Sequence, residues 1–221
     1  MPNPDCRAES DHESCPSLHP SPVQVTLADI ERDLAGHMPE HPATPGLNHA
    51  AVALVIREGT DGPEVLFIER ASRPGDPWSG DLGFPGGKVE AGDDGPREAA
   101  EREAREELDL DLGQARYIGR LTDIVGAHLP VRVSCFVYGA GPIGPFSFSD
   151  EVRDAFWVPL AELVAPTRHI IAPVRFGADT FERPSIRLPA AGKPVLWGIT
   201  YRLVMQFLEI VGSHFPPPPV S

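Results

Sequence analysis

Glu103, Glu106 and Glu107 fall within the run Pro96-Arg97-Glu98-Ala99-Ala100-Glu101-Arg102-Glu103-Ala104-Arg105-Glu106-Glu107-Leu108. On a helix these acids are i, i+3 and i+4, a spacing that gathers three carboxylates on one face. Like charges so grouped repel unless a divalent cation sits among them. Oxygen-only donors suit Mg²⁺, with Mn²⁺ as a substitute, and Mg²⁺ commonly bridges protein carboxylates to substrate phosphates. The chemistry indicated is metal-assisted hydrolysis of a pyrophosphate. Arg102 is placed to hydrogen-bond one of the acids and hold its rotamer.

The flanking residues predict the helix that must carry them. Asp94 or Gly95 can cap its N-terminus, Pro96 suits the first helical position, and Ala100, Ala104 and Leu108 form a narrow apolar stripe at i, i+4 and i+8. Glu103 and Glu107 flank that stripe and are expected to be half-buried. The same composition also describes an ordinary solvated, ion-paired helix. The approach Phe84-Pro85-Gly86-Gly87 favours the functional reading, because adjacent glycines after an apolar strand are costly unless backbone turns tightly or approaches a ligand.

With these residues in view, the segment from Gly87 to Glu107 resembles the signature box of the Nudix hydrolases. Gly87 opens it and Arg102-Glu103-Ala104-Arg105-Glu106-Glu107 closes it. Two departures stand out. Asp93 replaces the box's internal Glu with one extra residue before Arg102, and Asp109 replaces its late glycine, although Asp also tolerates the left-handed conformation. The longer gap is similar to that of the coenzyme A pyrophosphatase-like subgroup, as are Leu129-Pro130-Val131, Asp150-Glu151-Val152, Phe156-Trp157-Val158-Pro159-Leu160 and Trp197-Gly198-Ile199-Thr200. The likeness runs from about Asn48 to Val211. Before Phe84, however, Ser72 to Asp81 departs from the subgroup's Ser-Leu and His pattern.

The resemblance implies a Nudix-type α/β/α sandwich, a mixed β-sheet between helices. It implies a Mg²⁺ site at Glu103, Glu106 and Glu107, and catalytic roles for Glu106 or Glu151 as the proton acceptor and for Arg102 as the residue that holds the ligands. Backbone at Gly86 and Gly87 and the charges of Arg70 and Lys88 would meet phosphate oxygens. The substrate it implies first is coenzyme A or acyl-CoA, cleaved to adenosine 3′,5′-bisphosphate and (acyl-)4′-phosphopantetheine. Another nucleoside diphosphate derivative (ADP-ribose, a dinucleoside polyphosphate or an oxidised nucleotide) is the alternative. A non-catalytic ligand sensor of the same fold would usually have lost metal carboxylates, and none is lost here.

Composition bounds the partners. The 221 residues carry 32 acidic against 19 basic side chains, a formal charge of -13. That argues against a nucleic-acid polymer, whose phosphates recruit basic surfaces, but not against a small nucleotide met locally by Mg²⁺ and arginines. Cys6, Cys15 and Cys135 have neither disulfide-framework nor zinc-site spacing. No apolar run approaches the ~20 residues that span a bilayer, and the N-terminus lacks a signal-peptide core, so a cytoplasmic enzyme is expected. A homodimer is compatible with the chain.

Residues 1–22 read as a disordered tail rich in Pro, Ser and acids, residues 23–212 as one domain, and residues 213–221 as a Pro-rich C-terminal tail. Thr26 caps a short helix with Leu27, Ile30 and Leu34 on one face. Strands are expected over Ala50–Ile56, Glu64–Glu69, Tyr117–Val125, Val131–Tyr138 and Glu151–Val158. A short helix should follow Pro159, and a core helix should run from Thr200 to Val211. The loop Ala71 to Gly83 is a candidate pocket wall, with Trp78 available to stack on a base or cap the core. Ala165 to Pro194 reads as loop with short extended pieces.

Overall fold

Small residues decide how close the acid-bearing helix comes to the sheet. The computed structural model describes residues 25–73, 78–127, 129–177 and 179–215. The expected N-terminal tail, Pro216 to Ser221 and His128 lie outside them. Strand β1 (Asn48–Gly59) turns into β2 (Gly62–Arg70), and β1 also pairs in parallel with β7 (Val131–Ala140). One face of β1 carries Ala51, Ala53 and Val55, against which Ala99, Ala100 and Ala104 of α2 (Pro96–Leu108) pack with Leu108. Alanine on both sides lets the helix backbone lie close to the strand.

The sheet is mixed and twists around this pair. Short strands β3 (Leu82–Gly83) and β4 (Gly86–Lys88) add antiparallel to β2 and β1, while β5 (Arg116–Arg120) and β6 (Ile124–Val125) add antiparallel to β7. Strand β8 (Val152–Pro159) closes the other side of β2. On the face opposite α2, Leu54, Ile56, Val65, Phe67, Cys135 and Val137 meet α1 (Leu27–Ala35), α3 (Leu160–Val164) and α4 (Gly198–Ile210) through Ile30, Leu34, Leu163, Leu203 and Phe207. The result is the α/β/α sandwich with a mixed sheet that the sequence implied.

Local signals hold at the termini. Thr26 caps α1 with a full capping box to Asp29, as expected. The chain remains packed beyond residue 212: a 3-10 turn spans Gly212–His214, His214 bonds Asp33 at 2.6 Å, and Phe215 lies on the core. Among the described residues no helix is long and apolar enough to cross a membrane.

One expectation is corrected. Within the span read as loop, β9 (His169–Phe176) and β10 (Asp179–Ile186) form a two-stranded antiparallel ribbon. Pro173 and Pro184 obscure it in the sequence, since proline argues against a strand. They sit opposite Glu182 and Ile171, two cross-strand pairs apart, and so occupy the same class of site. Proline is tolerated there because a ribbon with two open edges has positions whose amides face outward.

Candidate active site

Helix α2 begins where Gly95 gives way to Pro96, without a side-chain cap. It ends at Asp109, whose φ of 55° places it in the left-handed region and whose N–H bonds the Arg105 carbonyl at 2.9 Å. Asp therefore does at this C-terminus what glycine usually does. The expected stripe of Ala100, Ala104 and Leu108 is buried. That orientation fixes where the acids go.

Glu107, only 3% exposed, turns inward, and its Oε2 accepts the Gly86 N–H at 2.9 Å. Burial pushes its carboxyl up to about 8, against the opposing pull of the Gly86 amide and the Arg70 charge. Glu103 lies against Gly87 so closely that a Cβ added there would sit 2.5 Å from the Glu103 carboxyl carbon. Burial raises the Glu103 carboxyl too, with Arg102 opposing. Glu106 is instead largely in solvent.

Arg102 joins these groups. Its Nη1 reaches Glu103 Oε1 at 3.0 Å and Glu106 Oε2 at 3.1 Å, its Nε reaches Asp93 Oδ1 at 3.0 Å, and its Nη2 donates to the Lys88 carbonyl at 3.0 Å. One guanidinium thus ties the helix to the loop between Lys88 and Asp93. Among the described residues no three His, Cys, Asp or Glu side chains converge closely enough to hold a metal ion. This departs from the expected convergence of three carboxylates, because each is drawn to a hydrogen-bond donor of its own surroundings. Glu107 accepts from the Gly86 amide, while Glu103 and Glu106 share Arg102. The donor set still fits a hard cation: all donors are oxygens, two are withdrawn from water, and the Gly87 cradle leaves room for the Glu103 carboxylate alone.

A stability test follows from Glu107. Its folded value lies above the ordinary glutamate value of 4.5. The stability it contributes is therefore complete below about pH 4.5 and is lost as pH rises through about 8. Thermal melts in chelator between pH 5 and 9 should show the metal-free protein losing more stability than Glu107→Gln, by on the order of a few kcal/mol. Parallel curves would refute this environment for Glu107.

A cavity of about 790 Å³ opens beside the acids. Glu103, Gly86, Gly87, Lys88, Arg70 and Glu151 line it. Arg102, Glu106 and Glu107 are not among its lining residues, and Arg102 acts on it through Glu103. Glu151 is steered by Arg73, whose Nη1 donates to its Oε1 at 2.9 Å and which also pairs with Asp150 at 2.9 Å. Trp78, Asp81, Leu82 and Gly83 from the long loop form part of the wall, so the described portion of that loop occupies the place expected for it. Residues 74–77 lie outside the described set.

Much of the remaining wall comes from residues that the sequence reading did not place in the site. Phe176, Phe181 and Arg183 enter from the ribbon, and Trp197 and residues 198–203 from the start of α4. Trp197 donates its indole N–H to Asp81 at 3.0 Å and meets Phe176 edge-on at 6.5 Å. Buried Ala172 and Val174 alternate with exposed Ile171 and Pro173 on the ribbon, an alternation the sequence hides because all four are apolar. Lys193, in the turn after it, binds Glu69 at 2.8 Å and also pairs with Asp154, which anchors this wall to β2 and β8.

Residues 47–178 match the NUDIX domain family. The chain is 34% identical over 172 residues to the human protein named mitochondrial coenzyme A diphosphatase NUDT8, covering 76% of this chain and 72% of that one. It is 30% identical to Nudix hydrolase 15, mitochondrial, from Arabidopsis thaliana, over 62% of this chain but 46% of the relative, so it spans less than half of that protein. Among solved structures, the M. smegmatis Nudix hydrolase RenU superposes with a TM-score of 0.50 at 17% identity, over 78% of this chain and 90% of that one, a likeness of fold. With a matching family across more than half its length, this chain belongs to the Nudix hydrolases, enzymes that cleave phosphorus-containing acid anhydrides.

Proposed function

We propose that the chain, through one catalytic domain over residues 23–212, hydrolyses the pyrophosphate bond of coenzyme A or acyl-CoA, releasing adenosine 3′,5′-bisphosphate and (acyl-)4′-phosphopantetheine. The observation that carries this reading is the single cavity joining Glu103 and the Gly86–Gly87 backbone to a long aromatic and aliphatic wall. Such a shape suits a pyrophosphate with an extended arm on either side. Similarity to the human diphosphatase supports the same substrate class.

Glu103, Glu106 and Glu107 would hold Mg²⁺, or Mn²⁺ in its place. When bound, the ion supplies neutralisation of pyrophosphate oxygens and a lowered pKa for water. Arg102 fixes the rotamers of Glu103 and Glu106. The Gly86–Gly87 backbone lines the cavity beside Glu103, where the phosphates would lie, and Arg70 and Lys88 add positive charge. Glu151 accepts the proton of the attacking water. It is favoured over Glu106 because, of the two, it lines the cavity, and Arg73 holds its carboxylate in place.

Incubation with Mg²⁺ and coenzyme A, 3′-dephospho-coenzyme A, ADP-ribose, a dinucleoside polyphosphate or 8-oxo-dGTP, with products resolved by mass, tests the assignment. Preferred release of adenosine 3′,5′-bisphosphate from coenzyme A is expected. Glu151→Gln should lower kcat by roughly 10²- to 10⁴-fold, the usual range for a positioned acid or base, with KM little changed. Preferred turnover of ADP-ribose or of 8-oxo-dGTP would move the substrate and leave the anhydride chemistry in place.

A further inference from the structure

Besides Arg70, two arginines line the cavity, from elements other than those that carry the carboxylates. Arg183 comes from β10 and Arg202 from the first turns of α4. Arg183 lies over the Phe181 ring, with its guanidinium carbon 4.9 Å from the centroid, and its Nη1 donates to the Glu182 carbonyl at 3.1 Å. Arg202 Nη1 donates to the Val125 carbonyl at 2.9 Å. Each contact orients a guanidinium without neutralising it. Among the described residues neither arginine pairs with a carboxylate, in a chain where acids outnumber bases 32 to 19. Arg73 and Arg102, by contrast, are engaged by acids on two or more sides.

A guanidinium has five donors in a planar fork that matches a phosphate, and a backbone carbonyl uses only one of them. The setting adds to this. Residues 198–203 line the same cavity, and α4 begins after Trp197 with no side-chain cap, so its first amides face a volume already bordered by the two arginines. The ring of Phe181 holds Arg183 by a cation–π contact and excludes water from one side of it. The acids that line the cavity are accounted for elsewhere: Glu103 by Arg102, Glu151 by Arg73, and Asp81 by the Trp197 indole.

We propose that Arg183 and Arg202 form a second anion subsite, separate from the pyrophosphate position at Gly86–Gly87, and that it takes the 3′-phosphomonoester of coenzyme A. This rests on the coenzyme A reading and deepens it, because it names the residues that distinguish coenzyme A from its 3′-dephospho form. The aromatic residues beside the arginines, Phe176, Phe181 and Trp197, then lie where the attached adenosine would pack.

The test compares kcat/KM for coenzyme A and 3′-dephospho-coenzyme A in wild type, Arg183→Gln, Arg202→Gln and the double variant, with Arg183→Lys as the conservative replacement. Wild type should prefer coenzyme A by roughly ten- to a hundredfold, the value of one or two charge-assisted hydrogen bonds. The preference should fall toward unity in the double variant and be partly restored by lysine. Competitive inhibition by adenosine 3′,5′-bisphosphate against AMP should change in the same ratio, a readout that a purely structural role would not move. Equal turnover of both substrates by wild type, or an unaltered ratio in the double variant, would overturn the subsite while the coenzyme A reading stands. Turnover of neither substrate would overturn both.

Discussion

Glu107→Gln should lower kcat/KM by on the order of a thousandfold, about 4 kcal/mol of transition-state stabilisation, while the protein stays folded. The substitution is nearly isosteric, and a glutamine carbonyl oxygen can still accept the Gly86 N–H that Glu107 Oε2 accepts at 2.9 Å. The turn from Phe84 into α2 therefore keeps its closing hydrogen bond. What disappears is the negative charge in a site from which water is largely withdrawn, where a cation gains most from it. The measurement is steady-state hydrolysis across a Mg²⁺ titration, with a thermal melt as the folding control. Activity within tenfold of wild type at saturating Mg²⁺ would remove Glu107 from the ligand set.

The largest effect on folding should come from Gly86→Ala, and its neighbour should behave differently. At Gly86 φ is 154°, and an added Cβ would run into the Ala51 carbonyl and sit 2.6 Å from Val52 Cα. Those are backbone atoms of β1, the strand to which Gly86 pairs through Val52, so neither side can move without opening the ladder. A cost of about 3 kcal/mol or more is expected, combining backbone strain with overpacking. At Gly87 the obstruction is the Glu103 carboxyl group, the far end of a flexible side chain. Gly87→Ala should therefore leave the melting temperature within a few degrees of wild type while displacing Glu103 and suppressing turnover. Equal destabilisation by the two substitutions in parallel melts would contradict this division of labour.

What could be read in the sequence was local. The helix that carries the acids, its proline start, its alanine stripe and the left-handed Asp109 all depend on residues within one or two turns of each other. So does the Thr26 cap. The other wall of the cavity depends on partners far apart in the chain: Arg73 with Glu151 across 78 positions, Trp197 with Asp81 across 116, and Lys193 with Glu69 across 124. Periodicity carries no information about such pairings. The β9–β10 ribbon was hidden by prolines that disfavour a strand in general and are harmless at its open edges. The mutual repulsion of three acids on one helix face was legible, but which donor each would meet was not. Glu107's answer depends on the Gly86 amide, and that of Glu103 and Glu106 on Arg102.

The anchoring of the ribbon and its following turn bears on how substrate enters. The bridge from Ile186 to Leu196 ties the following turn back on the ribbon, while the indole of Trp197 on Asp81 and the ammonium of Lys193 on Glu69 fasten this wall to the loop before β3 and to β2. A long flexible substrate must give up many rotamers on binding, and a floppy receptor would add its own ordering entropy to that loss. Here the receptor's share is already met during folding. For this wall, a smaller ordering cost is left to be met on association.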